Sequence, residues 1–321
     1  MDEETFIRGL RQHGVRAESS IPAKMRELLD CEQMELESVF VEAKPNLTMT
    51  LVHRVELGQG DIQERPSSIV KYSPARYAPA RTERLKIATA RHYREFEGGG
   101  PGIRDEHDAV YRQSIKSFFE RWNPDALTLL APFSTTFTAD SRDYTVEVVP
   151  SGTVNRAADG EWIYCASLEP RTKAEQDMMF QEFSADSMTR FQHPTDLARE
   201  LGSAFSRSAS AFPVTFDTDV DQLQISAMRE QSSLEKIVHV YHGPVAYTDD
   251  PEHLIEPIPS LLQGSAVPFL KSPEFGHQRE YRFVISTIGA PNEEVLYVPI
   301  TDDLRDLVLG TEYQSVSVAD R

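Results

Sequence analysis

The stretch KSPEFGHQREYRFVI, residues 271 to 285, places a histidine, a glutamine, two arginines and a glutamate immediately before an apolar run. If Arg279 to Ile285 forms a strand, alternation of side chains puts Gln278 and Glu280 next to each other on one face. A carboxylate in that position can stabilise an oxocarbenium-like sugar centre, and a neighbouring amide can orient the incoming nucleophile. The spacing therefore predicts Glu280 as a charge stabiliser and Gln278 as a positioning residue at the entrance of a strand, and we expect the fold to survive replacement of Glu280.

The tripeptide Gln278-Arg279-Glu280 resembles the Q-x-E variant of the [QE]-x-E motif of ADP-ribosyltransferase-fold enzymes and toxins. Those enzymes split NAD and transfer ADP-ribose to a protein or a nucleic acid. The resemblance implies NAD as the cofactor, Glu280 and Gln278 as catalytic residues, and a macromolecular acceptor. The family holds NAD with an arginine and with a Ser-Thr-Ser strand. We assign the arginine by its position in the chain, and the Ser-Thr-Ser strand by its similarity to the AFSRSAS segment. The residues expected to bind NAD are Arg54, Ser206, His277 and Tyr281.

A longer string around the same residues resembles an uncharacterised bacterial domain family that ends in E-x-E-[YW]-R, and the similarity extends loosely over residues 160 to 300. ADP-ribosyl transfer to macromolecules is toxic unless it is restrained. The resemblances therefore also imply a toxin or phage-defence role with an inhibitory partner protein. The pattern F-x-K-x-x-x-F-x-x-x-x-E-Y-R is matched in order by Phe269, Lys271, Phe275, Glu280, Tyr281 and Arg282.

Two other hypotheses come from different classes of protein. Asp30, Glu42 and Lys44 resemble the D...[DE]-x-K core of restriction-type nucleases, in which carboxylates bind Mg²⁺ and the lysine assists the attacking water. A non-catalytic interaction protein is the third hypothesis. His239 and His242 fall on opposite faces of a strand, so we expect structural histidines and no metal site there.

The charge distribution contains one local exception to an acidic chain. The formal net charge is -18, which repels phosphate backbones in general, yet residues 71 to 94 hold seven basic side chains against the single acid Glu83, with tyrosines interleaved. This segment either binds nucleic acid or docks on the acidic remainder of the same chain. The candidate nucleic-acid-binding residues are Arg76, Arg81, Arg84, Lys86 and Arg91.

The elements that must position these residues can be read from the hydrophobic pattern. Runs rich in β-branched residues predict strands at SVFVEAK, LTMTLVHRVEL, EWIYCAS, IVHVYHGPVAY and VLYVPI. Helical spacing predicts helices at KAEQDMMFQEF and PTDLARELGSAF, and also over residues 82 to 96 and 111 to 123. The mixture indicates an α+β fold with a mixed, partly antiparallel sheet flanked by helices.

The same pattern suggests the organisation of the whole chain. Residues 1 to 150 form an amino-terminal α/β region with the basic segment, and residues 151 to 321 form an α+β region with the Q-x-E stretch, unless both belong to one continuous domain. No apolar run approaches the roughly 18 residues of a membrane span. The first residues are acidic, and Cys31 and Cys165 are the only cysteines. We therefore expect a cytoplasmic protein without a membrane partner.

Overall fold

The computed structural model describes residues 16–19, 33–42, 48–58, 65–95, 110–114, 134–139, 142–149, 153–158, 161–208, 236–255, 257–258, 265–287 and 293–314. Its strands are β1 (Arg16–Ser19), β2 (Met34–Glu42), β3 (Thr48–Val55), β4 (Ser68–Ser73), β5 (Arg84–Thr89), β6 (Val110–Ser114), β7 (Ser134–Ala139), β8 (Arg142–Val149), β9 (Thr153–Ala158), β10 (Trp162–Leu168), β11 (Ser187–Gln192), β12 (Lys236–Pro244), β13 (Ala246–Tyr247), β14 (Leu270–Lys271), β15 (Glu280–Thr287), β16 (Val295–Pro299) and β17 (Val308–Tyr313). The helices of this part are α1 (Ala90–Glu95), α2 (Lys173–Glu182), α3 (Pro194–Ser208), α4 (Glu252–Ile255) and α5 (Asp302–Asp306). None of these described helices is both long enough and apolar enough to cross a membrane.

A mixed, largely antiparallel sheet confirms the predicted α+β fold. Its strand order is β1-β2-β3-β12-β15-β10-β4-β11-β17, with β5 on β10 and β16 on β5. The pairing of β3 with β12 is parallel, and the other strand pairings in the described part of this sheet are antiparallel. Strands from both sides of residue 150 alternate within this sheet. A second, four-stranded sheet has the order β6-β9-β8-β7.

The main sheet forks at β10. The first two residues of β10 pair with β5, whereas its last two pair with β4. Between them the backbone carbonyl of Cys165 accepts a hydrogen bond from Lys71 Nζ at 2.6 Å, and the same ammonium group lies 5.2 Å from the centre of the Tyr164 ring. The lysine thus supplies the donor that a neighbouring strand would supply elsewhere, because an unpaired buried carbonyl is costly.

Apolar side chains cover both faces of the sheet. On the face against α3, Leu201 and Phe205 of the helix belong to one buried cluster with Val52, Phe283 and Ile285. We call this the α3 face. On the opposite face, called the far face, buried residues of β3, β10, β12 and β15 form a second cluster with Ile255, Ile258, Ala266, Val267, Phe269 and Leu270. Because side chains alternate along a strand, neighbouring residues of β15 belong to different faces.

Several predicted elements are confirmed, and two predicted helices are wrong in the parts where the structure has a strand. The strands at β2, β3, β10, β12 and β16 and the helices α2 and α3 lie where the pattern placed them. In place of a helix over residues 82 to 96, β5 precedes the short α1, because Leu85 and Ile87 alternate with Arg84 and Lys86 and are buried against the α3 face. Residues 110 to 114 form β6, paired with β9, and the remainder of that predicted helix lies outside the described residues.

Candidate functional site

The chain enters β15 through a tight turn. Residues Pro273–Gln278 form a 3₁₀ helix, and Arg279 follows in the left-handed conformation with φ 44° and ψ 48°. The strand itself begins at Glu280. The prediction that the strand includes Arg279 is therefore wrong, since the left-handed residue reorients the chain at that point. Gln278 lies in the turn and Glu280 in the strand.

Four buried side chains from this region form what we call the Glu280 cluster: Lys271, Gln278, Glu280 and Arg282. Lys271 Nζ donates to Gln278 Oε1 at 2.9 Å and to Glu280 Oε2 at 3.2 Å. Arg282 holds the same carboxylate with Nε to Oε1 at 2.9 Å and Nη2 to Oε2 at 3.0 Å, and a further nitrogen donates to the carbonyl of Pro268. None of the four is more than 6% exposed. The predicted pair Gln278 and Glu280 is thus brought together through a shared ammonium group.

The charge of Glu280 is fixed by its two cationic neighbours. Burial by itself would raise the pKa of Glu280, but the charges of Arg282 and Lys271 outweigh that effect and hold the pKa well below its ordinary value. The carboxylate is therefore ionised throughout the physiological pH range. Because a buried ion pair leaves an uncompensated charge when one partner is removed, the structure argues against the expectation that the fold survives replacement of Glu280.

The cluster reaches solvent through Glu182 and His277. Gln278 Nε2 donates to Glu182 Oε1 at 2.7 Å, and Glu182 Oε2 lies 2.6 Å from His277 Nε2. The His277 side chain is 39% exposed and that of Glu182 is 16% exposed. Glu182 ends α2, far from residues 271 to 285 in the sequence, and no sequence signal links it to them. The sequence therefore predicts His277 as a residue of the site, but it does not predict Glu182.

Cys165 lies on the Lys71 side of the cluster. A hydrogen bond with the Cys165 side chain is among the effects that lower the pKa of Glu280, and the same side chain acts electrostatically on Lys71. Burial lowers the pKa of Lys71, and the neighbouring Cys165 and Glu280 counteract this in part. The sequence gives no catalytic context for the cysteine. Strand pairing places Cys165 opposite Arg282, two residues from Glu280.

The remaining residues predicted to bind NAD are on the other side of the sheet. Arg54 and Val52 are two positions apart in β3, so their side chains lie on the same face of the sheet, which is the α3 face. Ser206 is buried in α3, where its hydroxyl donates to the carbonyl of Gly202 at 2.9 Å. Tyr281 is 2% exposed on the α3 face. The sheet therefore separates these three residues from the Glu280 cluster, and His277 is the predicted NAD contact that lies beside it.

A separate polar chain occupies the α3 face. His242 Nδ1 lies 2.8 Å from the Tyr281 hydroxyl, and His242 Nε2 lies 3.0 Å from Glu37 Oε2. Thr195 Oγ1 donates to the same Glu37 oxygen at 2.7 Å, and Arg65 Nη1 lies 3.3 Å from Glu37 Oε1. Burial would raise the pKa of Glu37, but the hydrogen bond and charge of His242, with Thr195 and Arg65, lower it to about 2. His242 is thus a satisfied structural histidine.

We expect the contacts of Glu37 to stabilise the folded protein at neutral pH and to lose that effect in acid. The folded-state pKa of Glu37, about 2, lies below the ordinary value of 4.5, so its stabilising effect is complete above pH 4.5 and is lost as the pH falls toward 2. Urea unfolding of the wild type and of Glu37→Gln across that window is expected to show a difference in unfolding free energy that shrinks with falling pH. Glu35→Gln is the matched control, because Glu35 also pairs with Arg65 but is 52% exposed. A difference that stays constant over the window would contradict the assignment.

The residues of the nuclease hypothesis are only partly described. Glu42 is held by Ser203 Oγ at 2.6 Å and by Arg207 Nη2 at 3.0 Å. Asp30 and Lys44 lie outside the described residues. Within the described part of the chain no group of three or more His, Cys, Asp and Glu side chains is arranged to hold a metal ion. The contacts of Glu42 are those of a carboxylate that joins β2 to α3.

The candidate cations of the basic segment lie largely at the surface. The segment covers the end of β4, the following turn, β5 and α1. Four of the five candidate nucleic-acid-binding residues are exposed, and the fifth is half-buried on α1; they are Arg76, Arg81, Arg84 and Lys86, and Arg91.

Comparison with known proteins adds no relative. No family model matches the chain, and no significant match is found among curated proteins or among solved structures.

Proposed function

We propose that the Glu280 cluster is the catalytic site of an ADP-ribosyltransferase-like enzyme that uses NAD to modify a macromolecule. The observation that carries the proposal is the shared contact of Gln278 Oε1 and Glu280 Oε2 with Lys271 Nζ, at 2.9 Å and 3.2 Å. This contact holds the amide and the carboxylate of the Q-x-E motif next to each other. The permanent ionisation of Glu280 supports the same role, since only the charged form stabilises a developing positive charge.

Each residue of the cluster has a defined task in this proposal. When bound, NAD would supply an ADP-ribosyl group whose ribosyl carbon becomes electron-poor as nicotinamide leaves. Glu280 stabilises that positive charge, as carboxylates do in glycoside hydrolysis. Gln278 orients the acceptor, and its own amide is fixed by Glu182 at 2.7 Å. His277 stands at the exposed entrance beside Glu182.

The ion pairs set a condition on substrate binding. Arg282 is 0% exposed and contacts Glu280 through two nitrogens, so its position is fixed. Lys271 contacts the carboxylate through one nitrogen on a flexible side chain. Lys271 would therefore have to move away from Glu280 for NAD to bind, and its ammonium group would then be available to neutralise phosphate. Arg54 and Ser206 have no part in this version of the site, because they lie on the α3 face.

We place this activity in the cytoplasm, in a toxin or phage-defence protein that an inhibitory partner restrains. The carboxylate and amide chemistry of the cluster supports transfer but does not select between protein and nucleic acid as the acceptor. The ion pairs of Glu42 with α3 give the nuclease alternative no comparable support.

The test is transfer of label from NAD that carries ³²P in its adenylate phosphate. Purified protein is incubated with labelled NAD and a cell lysate, and protein and nucleic-acid fractions are separated. We expect label in one fraction with the wild type and with the control Glu274→Gln, an exposed glutamate of the same turn. Gln278→Ala and Glu280→Gln are expected to lose roughly 100-fold or more of the rate, the usual effect of removing a stabilising polar group.

Thermal unfolding curves accompany the assay, so that loss of rate is scored only for variants that are folded at the assay temperature. Absence of label in both fractions with the wild type would overturn the proposal. So would a folded Gln278→Ala or Glu280→Gln protein that retains the wild-type rate.

A further inference from the structure

The outward face of the β5 and β16 pair carries cations and an aromatic ring without an acid. Arg84 and Lys86 point outward from β5, while Leu85 and Ile87 between them are buried. Tyr297 of β16 is paired with Lys86 in register and is 56% exposed. The other positions on this side of the two strands are Ala88, which is buried, and Val295 and Pro299. The Lys86 ammonium group lies 3.2 Å from His92 Nε2, so the exposed strand positions of this face present positive charge and apolar surface.

The turn before β5 carries two further arginines, each beside a tyrosine ring. The guanidinium group of Arg76 lies 4.8 Å from the centre of the Tyr77 ring, and that of Arg81 lies 4.3 Å from the Tyr313 ring. Tyr77 is 57% exposed and Tyr313 is 42% exposed. The turn is ordered by its own backbone hydrogen bonds and by Arg305, which donates to carbonyl oxygens of this turn. Aromatic rings and guanidinium groups are thus presented together on a fixed backbone.

We name this surface the basic–aromatic face and define it as Arg76, Tyr77, Arg81, Arg84, Lys86, Tyr297 and Tyr313. Between residues 76 and 86 its four cations face one acid, Glu83, which gives a local charge of +3 in a chain of net charge -18. None of its three arginines forms an ion pair with a carboxylate of the described residues. The alternative that this segment docks on acidic parts of the same chain therefore has no support from these arginines within the described residues.

We infer that the basic–aromatic face binds single-stranded nucleic acid, with its cations on the phosphates and its tyrosines stacked on the bases. Exposed aromatic rings beside cations are how proteins hold unpaired strands, because each base offers a flat face for stacking. A duplex hides its bases and would use only the cations. Partial burial and the charge of Lys71 lower the pKa of Lys86, and a phosphate at this position would favour the charged form of that ammonium group.

As a statement about the acceptor, this inference rests on the proposed function, because it selects nucleic acid over protein as the molecule that is modified. The binding itself does not depend on transfer. It is therefore measured without NAD, by fluorescence anisotropy with labelled oligo(dT) and oligo(U) of roughly 12 nucleotides, a length within the usual range of single-strand sites.

We expect the wild type to bind the single strands with a strong dependence on salt. Four cations on phosphates predict a slope of log K against log salt of roughly -3, which corresponds to roughly 60-fold weaker binding between about 50 mM and 200 mM salt. The double variant Arg84→Gln with Lys86→Gln is expected to bind at least roughly tenfold more weakly and to reduce the slope by about half. Tyr297→Ala is expected to lose roughly 5- to 100-fold in affinity.

The control is Lys173→Gln, an exposed lysine at the start of α2 that lies outside the basic–aromatic face; its side chain is 71% exposed. It is expected to bind as the wild type does. No binding at about 50 mM salt, equal losses in Lys173→Gln, or tighter binding to a duplex or to poly-glutamate than to the single strands would each overturn the inference. Binding without label transfer from NAD would overturn only the proposed function, whereas transfer to protein without nucleic-acid binding would overturn only this inference.

Discussion

Replacing Glu280 with glutamine is expected to lower the free energy of unfolding by about 3–5 kcal/mol, the usual cost of breaking a buried ion pair from one side. The carboxylate is 6% exposed and compensates Arg282, which is 0% exposed, as well as Lys271. A neutral amide cannot balance two buried positive charges, and it also brings donor hydrogens toward groups that only donate. Urea unfolding followed by circular dichroism measures the change.

Glu274→Gln makes the same chemical change in the preceding turn, at an exposed position, and is expected to alter the unfolding free energy by no more than about 0.5 kcal/mol. If Glu280→Gln were as stable as Glu274→Gln, the carboxylate would not be the structural counter-ion that its contacts indicate. The outcome also decides how a loss of ADP-ribosyl transfer in Glu280→Gln is interpreted, because unfolding alone would abolish activity.

Replacing Gly243 with alanine is expected to cost about 3 kcal/mol or more, because overpacking against backbone cannot be relieved by a side-chain rotation. A Cβ atom at this position of β12 would lie 2.1 Å from the carbonyl oxygen of Val55 in β3. These strands form the parallel pairing of the main sheet, so the clash would force them apart where β3 ends. Thermal and urea unfolding of the purified variant are the measurements.

Gly310→Ala is the matched control for this substitution. A Cβ atom at Gly310 meets nothing within 4 Å, and the residue lies on β17 at the end of the sheet order. Its replacement is expected to be neutral or slightly stabilising, because alanine restricts the unfolded chain more than glycine does. Equal stability of the Gly243→Ala and Gly310→Ala proteins would contradict the close approach of β3 and β12.

Local signals in the sequence were sufficient for most of the elements around the site. Runs rich in β-branched residues predicted β10, β12 and β16, and helical spacing predicted α3, because composition and period depend on near neighbours in the chain. Helical spacing was misleading at residues 82 to 96, where the first part of the predicted helix is the strand β5. There the burial of Leu85 and Ile87 against α3 decided in favour of a strand.

By itself, the sequence determined the α+β character, the basic segment and the proximity of Gln278 to Glu280, since two residues separated by one position must lie close together. The tertiary structure alone decided their surroundings. It brought Glu182 to Gln278, Cys165 to Glu280 and Tyr297 to Lys86, because strand pairing joins distant segments. It also placed Arg54 on the α3 face, opposite to the face that carries the Glu280 cluster. Alternation within one strand shows which of its residues share a face, but it does not show which residues of another strand lie on that same face.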